Sequence, residues 1–140
     1  MRILCGTDIV LVSRVRKSIA LKDDGSLPAF VTKCYTPDEI EYCMKPSNED
    51  KRVERFAARF AAKEAVSKAL GTGIMTMGIG FLDIEVKADE LGAPYAQLKG
   101  EAKKRADELG IVSVAISLSH DGDYAICYCT ALAEGKEDTK

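Results

Sequence analysis

Tryptophan is absent from this 140-residue sequence, and aromatic residues make up only 6% of it. Proteins that hold nucleic acid usually stack bases on aromatic platforms inside a basic groove. Few aromatics and a net charge of −2 give that class little support, so no nucleic-acid partner is expected. The only histidine is His120, and the five cysteines at 5, 34, 43, 127 and 129 form no C-x-x-C pair. Zinc needs clustered His and Cys. Any metal here must therefore be a hard cation held by carboxylates, phosphates and water, Mg²⁺ before Ca²⁺. No apolar run approaches the ~18 residues that would suggest a membrane-spanning helix. The opening Met-Arg-Ile-Leu-Cys-Gly-Thr-Asp also lacks the architecture of a secretory signal. We expect no membrane partner, and a cytoplasmic protein whose reduced thiols mostly serve as small core residues.

No internal repeat, linker or low-complexity tract interrupts the chain before a polar tail at 134–140, so residues 1–133 read as a single domain. Hydrophobic residues at 46% and charged residues at 30% suit a globular core that needs no staples. The charge is unevenly spread. Residues 1–22 carry Arg2, Arg14, Arg16, Lys17 and Lys22 against Asp8 alone, an arm suited to an acidic partner or a phosphate.

The organising stretch is Arg55 to Leu70, alanine-rich and without Gly or Pro until Gly71, the usual stop signal. On a helical wheel Ala58, Ala61, Ala62, Ala65 and Ala69 share a charge-free sector, with Arg55, Arg59 and Lys63 as a basic stripe opposite. Glu64 and Lys68 belong to neither group and line up one turn apart beside Phe60. Such a pair is either a helix-stabilising ion pair or part of a site.

Around this helix we read a short first strand from Arg2 to near Asp8 and a helix over about 13–21. Thr36-Pro37-Asp38-Glu39 predicts a second helix start, with Thr as cap and Glu three residues on. A strand over 81–87 turns back through Glu90-Leu91-Gly92-Ala93-Pro94 to Tyr95–Leu98. A helix over 101–109 stops at Gly110. Strands over 112–118 and 124–132 are joined at an Asp-Gly turn. Strands and helices are partly segregated, which points to α+β.

Several residues could carry chemistry, and each has a plain alternative. Asp8 is a strand-end or turn Asp, or a ligand. Gly71-Thr72-Gly73 follows a helix rather than preceding one, so it lacks the geometry of a phosphate loop and reads first as a C-cap. His120 is a turn or edge histidine, or a contact to substrate. Arg14, Arg16 and Lys17 are a solvated helix face or a docking surface.

Taken together the signals form a pattern. Gly6-Thr7-Asp8-Ile9, then Arg59-Phe60-Ala61-Ala62-Lys63-Glu64-Ala65-Val66-Ser67-Lys68-Ala69-Leu70-Gly71-Thr72-Gly73, then Ser117-Leu118-Ser119-His120 occur in one chain. In type and order these elements resemble the holo-acyl-carrier-protein synthases, the small bacterial 4'-phosphopantetheinyl transferases. The resemblance runs from residue 2 to about 132. It implies that family's α+β fold, a small antiparallel or mixed sheet packed against helices that include a long central one. It further implies transfer of the 4'-phosphopantetheine arm of coenzyme A to a serine of apo acyl carrier protein, with release of adenosine 3',5'-bisphosphate, in fatty acid biosynthesis.

By the same resemblance Asp8 and Glu64 match the Mg²⁺ ligands, Lys68 matches a catalytic lysine beside the phosphates, and Glu64 is a candidate base. Arg59, Lys68, Gly71, Gly73, Pro94, Ser119 and His120 match positions around coenzyme A. Arg14, Arg16 and Lys17 match the surface that receives the carrier protein, and a homotrimer is expected. Two positions depart from the family: Asp121 stands where many relatives have Thr or Ser, and Ala93 replaces a common Lys. The rival reading is a non-catalytic carrier-protein or nucleotide-binding module on the same fold.

Overall fold

The computed structural model describes residues 1–135; the remainder of the polar tail at 136–140 lies outside the described residues. Two antiparallel sheets flank one long helix. Strands β1 (Arg2–Leu11), β4 (Ile111–Asp121) and β5 (Tyr124–Ala133) form a sheet in the order β1-β5-β4, and β2 (Ile84–Ala88) pairs with β3 (Pro94–Leu98). The helices are α1 (Val12–Ile19), α2 (Ala29–Cys34), α3 (Pro37–Met44), α4 (Glu49–Ala69) and α5 (Gly100–Leu109). The architecture is α+β, as expected.

Several local features follow directly from residue chemistry. Thr36 caps α3 by accepting from the Glu39 backbone N–H at 3.2 Å, and the Glu39 carboxylate accepts from the Thr36 N–H at 2.9 Å, so the capping box is closed. Asn48 caps α4 in the same manner through the Lys51 N–H. Gly71, at φ 80°, ends α4 in the left-handed conformation that costs glycine least. Arg105 of α5 donates to the Leu70 carbonyl at 3.0 Å, placing a cation at the negative end of the α4 dipole.

Four elements depart from the sequence reading. β1 does not stop near Asp8 but pairs with β5 through Leu11, and α1 follows with no intervening loop. α4 begins at Glu49, since Asn48 caps it there. Phe81–Asp83 is a turn of 3₁₀ helix, so its strand starts only at Ile84. α2 had no clear periodicity in six residues and was unforeseen.

The basic stripe of α4 is the larger surprise. Lys63 is fully buried and Arg59 only 4% exposed, because α3 and β2 cover that edge of α4. The Lys63 ammonium spends all three protons: on Glu39 Oε1 at 2.8 Å, the Ile84 carbonyl at 2.7 Å and the Phe81 carbonyl at 2.9 Å. Glu39 Oε2 accepts from the Val86 N–H at 2.7 Å. Next to this pair Glu85, also buried, accepts from Thr36 Oγ1 at 2.7 Å and from Lys99 at 2.9 Å. Burial alone would raise the Glu85 carboxyl, but these two donors outweigh it and hold it below its ordinary value. Burial lowers the Lys63 ammonium despite the opposing pull of Glu39. A buried pair of this kind is poor evidence for net stability. Removing one member, though, costs about 3–5 kcal/mol because the other charge is left uncompensated.

On its other flank α4 lies against β1 and β5 through small residues. Ala57, Ala61, Ala62 and Ala65 face a β5 surface that includes Ala125, Cys127, Cys129 and Ala131, all buried. Burial pushes the thiols of Cys43 and Cys129 up to about 12 and that of Cys127 to about 11, so they behave as small apolar groups. Cys5, exposed on β1, is the exception.

The closest approach is at Gly6. A Cβ there would sit 2.2 Å from the Ala65 carbonyl oxygen and 2.6 Å from the Ala69 nitrogen. Helix backbone cannot yield locally as a flexible side chain can. Gly6→Ala is therefore expected to destabilise the fold by about 1–3 kcal/mol, as overpacking does. Urea denaturation measures this directly, and an unchanged midpoint would show that α4 is not seated on residue 6.

Candidate active site

Alternation along β1 sends Leu4, Gly6, Asp8 and Val10 toward α4, and Ile3, Cys5, Thr7 and Ile9 to the opposite face. Gly6 brings the α4 backbone to contact distance, and the next inward residue, Asp8, therefore meets the following part of the helix. There Glu64 and Lys68 present one edge. Lys68 Nζ lies 3.1 Å from Asp8 Oδ1 and 3.1 Å from the Thr7 carbonyl. Of the two readings of Glu64 and Lys68, the ion pair one turn apart is not the one that forms. Lys68 reaches across to β1 instead.

Asp8 and Glu64 line a single pocket of about 330 Å³. Its other walls are Ile9, Val10 and Leu11 of β1, Arg14, Val15 and Ser18 of α1, and the rings of Phe30 and Phe60. The two rings lie 5.8 Å apart. Because β1 runs straight into α1, Arg14 is carried to the mouth of the same pocket as Asp8. The wheel already set Phe60 beside Glu64; sequence reasoning missed Phe30, whose placement depends on α2 folding over α4.

The Glu64 carboxyl is pushed above its ordinary value, first by burial and next by the negative charge of Asp8, with Lys68 pulling the other way. Two carboxylates that repel across one pocket form an unsatisfied electrostatic arrangement, and a divalent cation between them would relieve it. Among the described residues no group of three or more His, Cys, Asp or Glu side chains converges anywhere. An ion held by Asp8 and Glu64 would keep most of its coordination positions open for ligands from outside the protein.

The remaining expected site residues fall elsewhere. Arg59 and Pro94 share a second pocket with Tyr42, Gly92 and Ser117. The Arg59 guanidinium stacks over the Tyr42 ring at 4.0 Å, and its Nε is buried without a hydrogen-bond partner. Gly71 and Gly73 form the turn after α4, their N–H groups donating to the Lys68 and Ser67 carbonyls. Ser119 and His120 are exposed near the end of the edge strand β4 and line neither pocket. On α1, Arg16 already pairs with Asp50 at 2.6 Å and Glu49 at 3.9 Å, while Arg14 and Lys17 are exposed.

The model of the 4'-phosphopantetheinyl transferase superfamily matches residues 4–129. The chain is 45% identical over 128 residues to the holo-[acyl-carrier-protein] synthase of Ruminiclostridium cellulolyticum, covering 91% of this chain and 90% of that one. It is 39% identical over 139 residues to that of a Thermoanaerobacter species, covering 99% and 94%. Among solved structures it is similar to the Helicobacter pylori holo-[acyl-carrier-protein] synthase in complex with coenzyme A. The TM-score there is 0.74 at 32% identity, with 92% and 100% of the chains covered. It is likewise similar to the Chronobacterium ammoniagenes ACPS–CoA complex, with a TM-score of 0.80 at 31% identity over 96% and 100%.

Because burial, and after it the charge of Asp8, raises the Glu64 carboxyl, the folded protein keeps a proton on Glu64 over a pH window where the unfolded chain has lost it. Stability therefore declines as pH rises through that window. In Asp8→Asn the repulsion is gone and Lys68 is free, so the Glu64 carboxyl should titrate lower. Carboxyl-carbon NMR of both proteins reads this, and an unmoved titration would mean that the two groups do not sense each other.

Proposed function

The chain belongs to the 4'-phosphopantetheinyl transferase superfamily, and from that membership we propose that it acts as a holo-acyl-carrier-protein synthase. It transfers the 4'-phosphopantetheine of coenzyme A to a serine of apo acyl carrier protein. The observation that supports this best is Asp8 and Glu64 in one pocket with Lys68 bound to Asp8, the chemistry a diphosphate requires.

The serine oxygen forms a bond to the phosphorus that bears the pantetheine arm. The bond from that phosphorus to the bridging oxygen breaks, and adenosine 3',5'-bisphosphate leaves. Both the electrophile and the leaving group are anionic, so charge compensation and positioning supply most of the rate. Mg²⁺ held by Asp8 and Glu64 would polarise the phosphoryl oxygens and offset the charge that develops on the departing phosphate. Lys68, half exposed beside Asp8, contributes a point charge to the same oxygens. Glu64, with its raised carboxyl, is the candidate to take the serine proton.

The carrier protein docks on α1, where Arg14 and Lys17 face outward, and Arg14 reaches the pocket rim that Phe30 and Phe60 continue as apolar wall. Arg16, tied to Asp50, serves this surface less directly. Arg59, with its buried unpartnered Nε, and Pro94 form the nucleotide side of the coenzyme A site. Ser119 and His120 belong to that side as well, yet they sit on the outer rim of the sheet. The outward face next to them is apolar and uncovered: Ile9 is 59% exposed and Tyr128 51%, with Ile3 and Ile126 beside them. Copies of this chain pack here, in a homotrimer whose clefts join Ser119 and His120 of one copy to the carboxylates of another. No helix among the described residues is long and apolar enough to cross a membrane. Free thiols and a coenzyme A substrate fit the cytoplasm.

Incubating the protein with coenzyme A, Mg²⁺ and an apo carrier protein should add about 340 Da to the serine, the mass of the transferred group. EDTA should stop the reaction. Asp8→Ala and Glu64→Ala should each lower the rate by about 10³-fold or more, and Lys68→Ala by about 10²-fold. Near-normal turnover by folded Glu64→Ala protein would remove the reading. Separately, Tyr128→Asp should shift the sedimentation of the assembly from trimer to monomer; sedimentation identical to the parent's would discard the sheet face as its interface.

A further inference from the structure

The site described above leaves a question about Glu64. Asp8 is oriented by Lys68, but among the described residues the Glu64 carboxylate takes part in no hydrogen bond or ion pair. The side of α4 from which it projects is set by the backbone that carries it, meaning the rotation of α4 about its own axis. Residue 64 is one step, or about 100°, from residue 63 on the helix. Lys63 is the residue on α4 whose side chain is gripped from three directions.

We infer that the buried Lys63–Glu39 pair positions Glu64, by locking the rotation of α4 so that its next residue faces Asp8. Three observations carry this. The Lys63 ammonium is saturated by acceptors from three places, Glu39 on α3, Phe81 in the 3₁₀ turn and Ile84 on β2, which leaves no second rotamer of equal quality. Glu39 is itself held by the Thr36 and Val86 N–H groups, so the grip is anchored in α3 and β2 rather than in a free side chain. The opposing flank of α4 meets β1 closely at Gly6, a contact that limits distance, and its directional bonds to β1 come from Lys68, a half-exposed side chain that donates to the Thr7 carbonyl and to Asp8. Apolar contact with the alanine face permits small rotations; three hydrogen bonds to one ammonium do not. Lys63 and Glu39 touch neither substrate nor metal in this scheme, so they are positioning residues. The inference rests on the reading of Asp8 and Glu64 as a cation site.

The test measures metal binding rather than turnover. Mn²⁺ binding, followed by electron paramagnetic resonance with coenzyme A present, is compared for the parent protein, Glu39→Gln, Glu64→Gln and the double variant. All measurements are made well below each protein's melting temperature. Glu39→Gln keeps the size of the side chain but sets an amide where two acceptors are needed. It should weaken Mn²⁺ about tenfold, the usual scale for an outer partner of a ligand. On the Glu64→Gln background the same change should alter Mn²⁺ binding less than about twofold, since a ligand that is gone cannot be misaligned.

Glu39→Leu/Lys63→Met removes both charges together, which a core often tolerates, and it should show the same Mn²⁺ loss. Ala106→Gly on α5, away from the site, serves as a destabilised control and should bind Mn²⁺ normally. Parent-like Mn²⁺ affinity in either folded pair variant overturns the inference, as does an equal loss with and without Glu64. If Glu64→Gln alone leaves Mn²⁺ binding intact, the cation-site reading fails and this inference fails with it.

Discussion

Helix α4 reaches its position because residue 6 has no side chain. At every other inward site on β1 a Cβ stands between strand and helix, but at Gly6 the helix backbone itself closes the gap. That approach sets the depth at which Glu64 and Lys68 meet β1, and alternation along the strand then places Asp8 opposite them. The small residues of β5 extend the same contact: Ala125, Cys127, Cys129 and Ala131 are the side chains that let an alanine-faced helix lie flat on a sheet. Packing this close leaves little freedom in helix height. Such precision matters where a charge must be presented within a fraction of an ångström.

The electrostatic design is one of incomplete compensation. Lys68 neutralises one of two carboxylates, and Glu64 remains raised by burial and by Asp8. A site built for stability would have paired both. The other acidic groups of the interior are treated differently: Glu39 and Glu85 are each matched to a lysine and further hydrogen-bonded. The contrast separates charges that hold the molecule together from charges left available to an ion and a diphosphate.

The proposed substrate groups are also divided in space. The carboxylates and Arg14 share one pocket, Arg59 and Pro94 another, and Ser119 and His120 lie at the rim of an apolar sheet face open to solvent. Monomeric proteins rarely leave a contiguous apolar surface of this kind uncovered. It lies next to Ser119 and His120, which is the basis of the proposal that the site is completed between copies of the chain.

Much of this was legible in the residue order. The capping box at Thr36 and Glu39, the stop at Gly71 and the alternation of β4 and β5 are local rules that neighbouring residues enforce. The family pattern singles out Asp8, Glu64 and Lys68 together, and the fold brings them together. The wheel showed Arg59 and Lys63 on one stripe but could not show that α3 and β2 bury it. Between an i,i+4 pair of Glu64 with Lys68 and a place for both in a site, the residue order did not choose; the fold turned Lys68 across to β1. Local chemistry alone thus decided where helices start and stop and which side chains could carry charge. Which of those charges is buried, and which carboxylate is left without a partner, was decided by tertiary packing, because desolvation and ion pairing depend on neighbours that are distant along the chain.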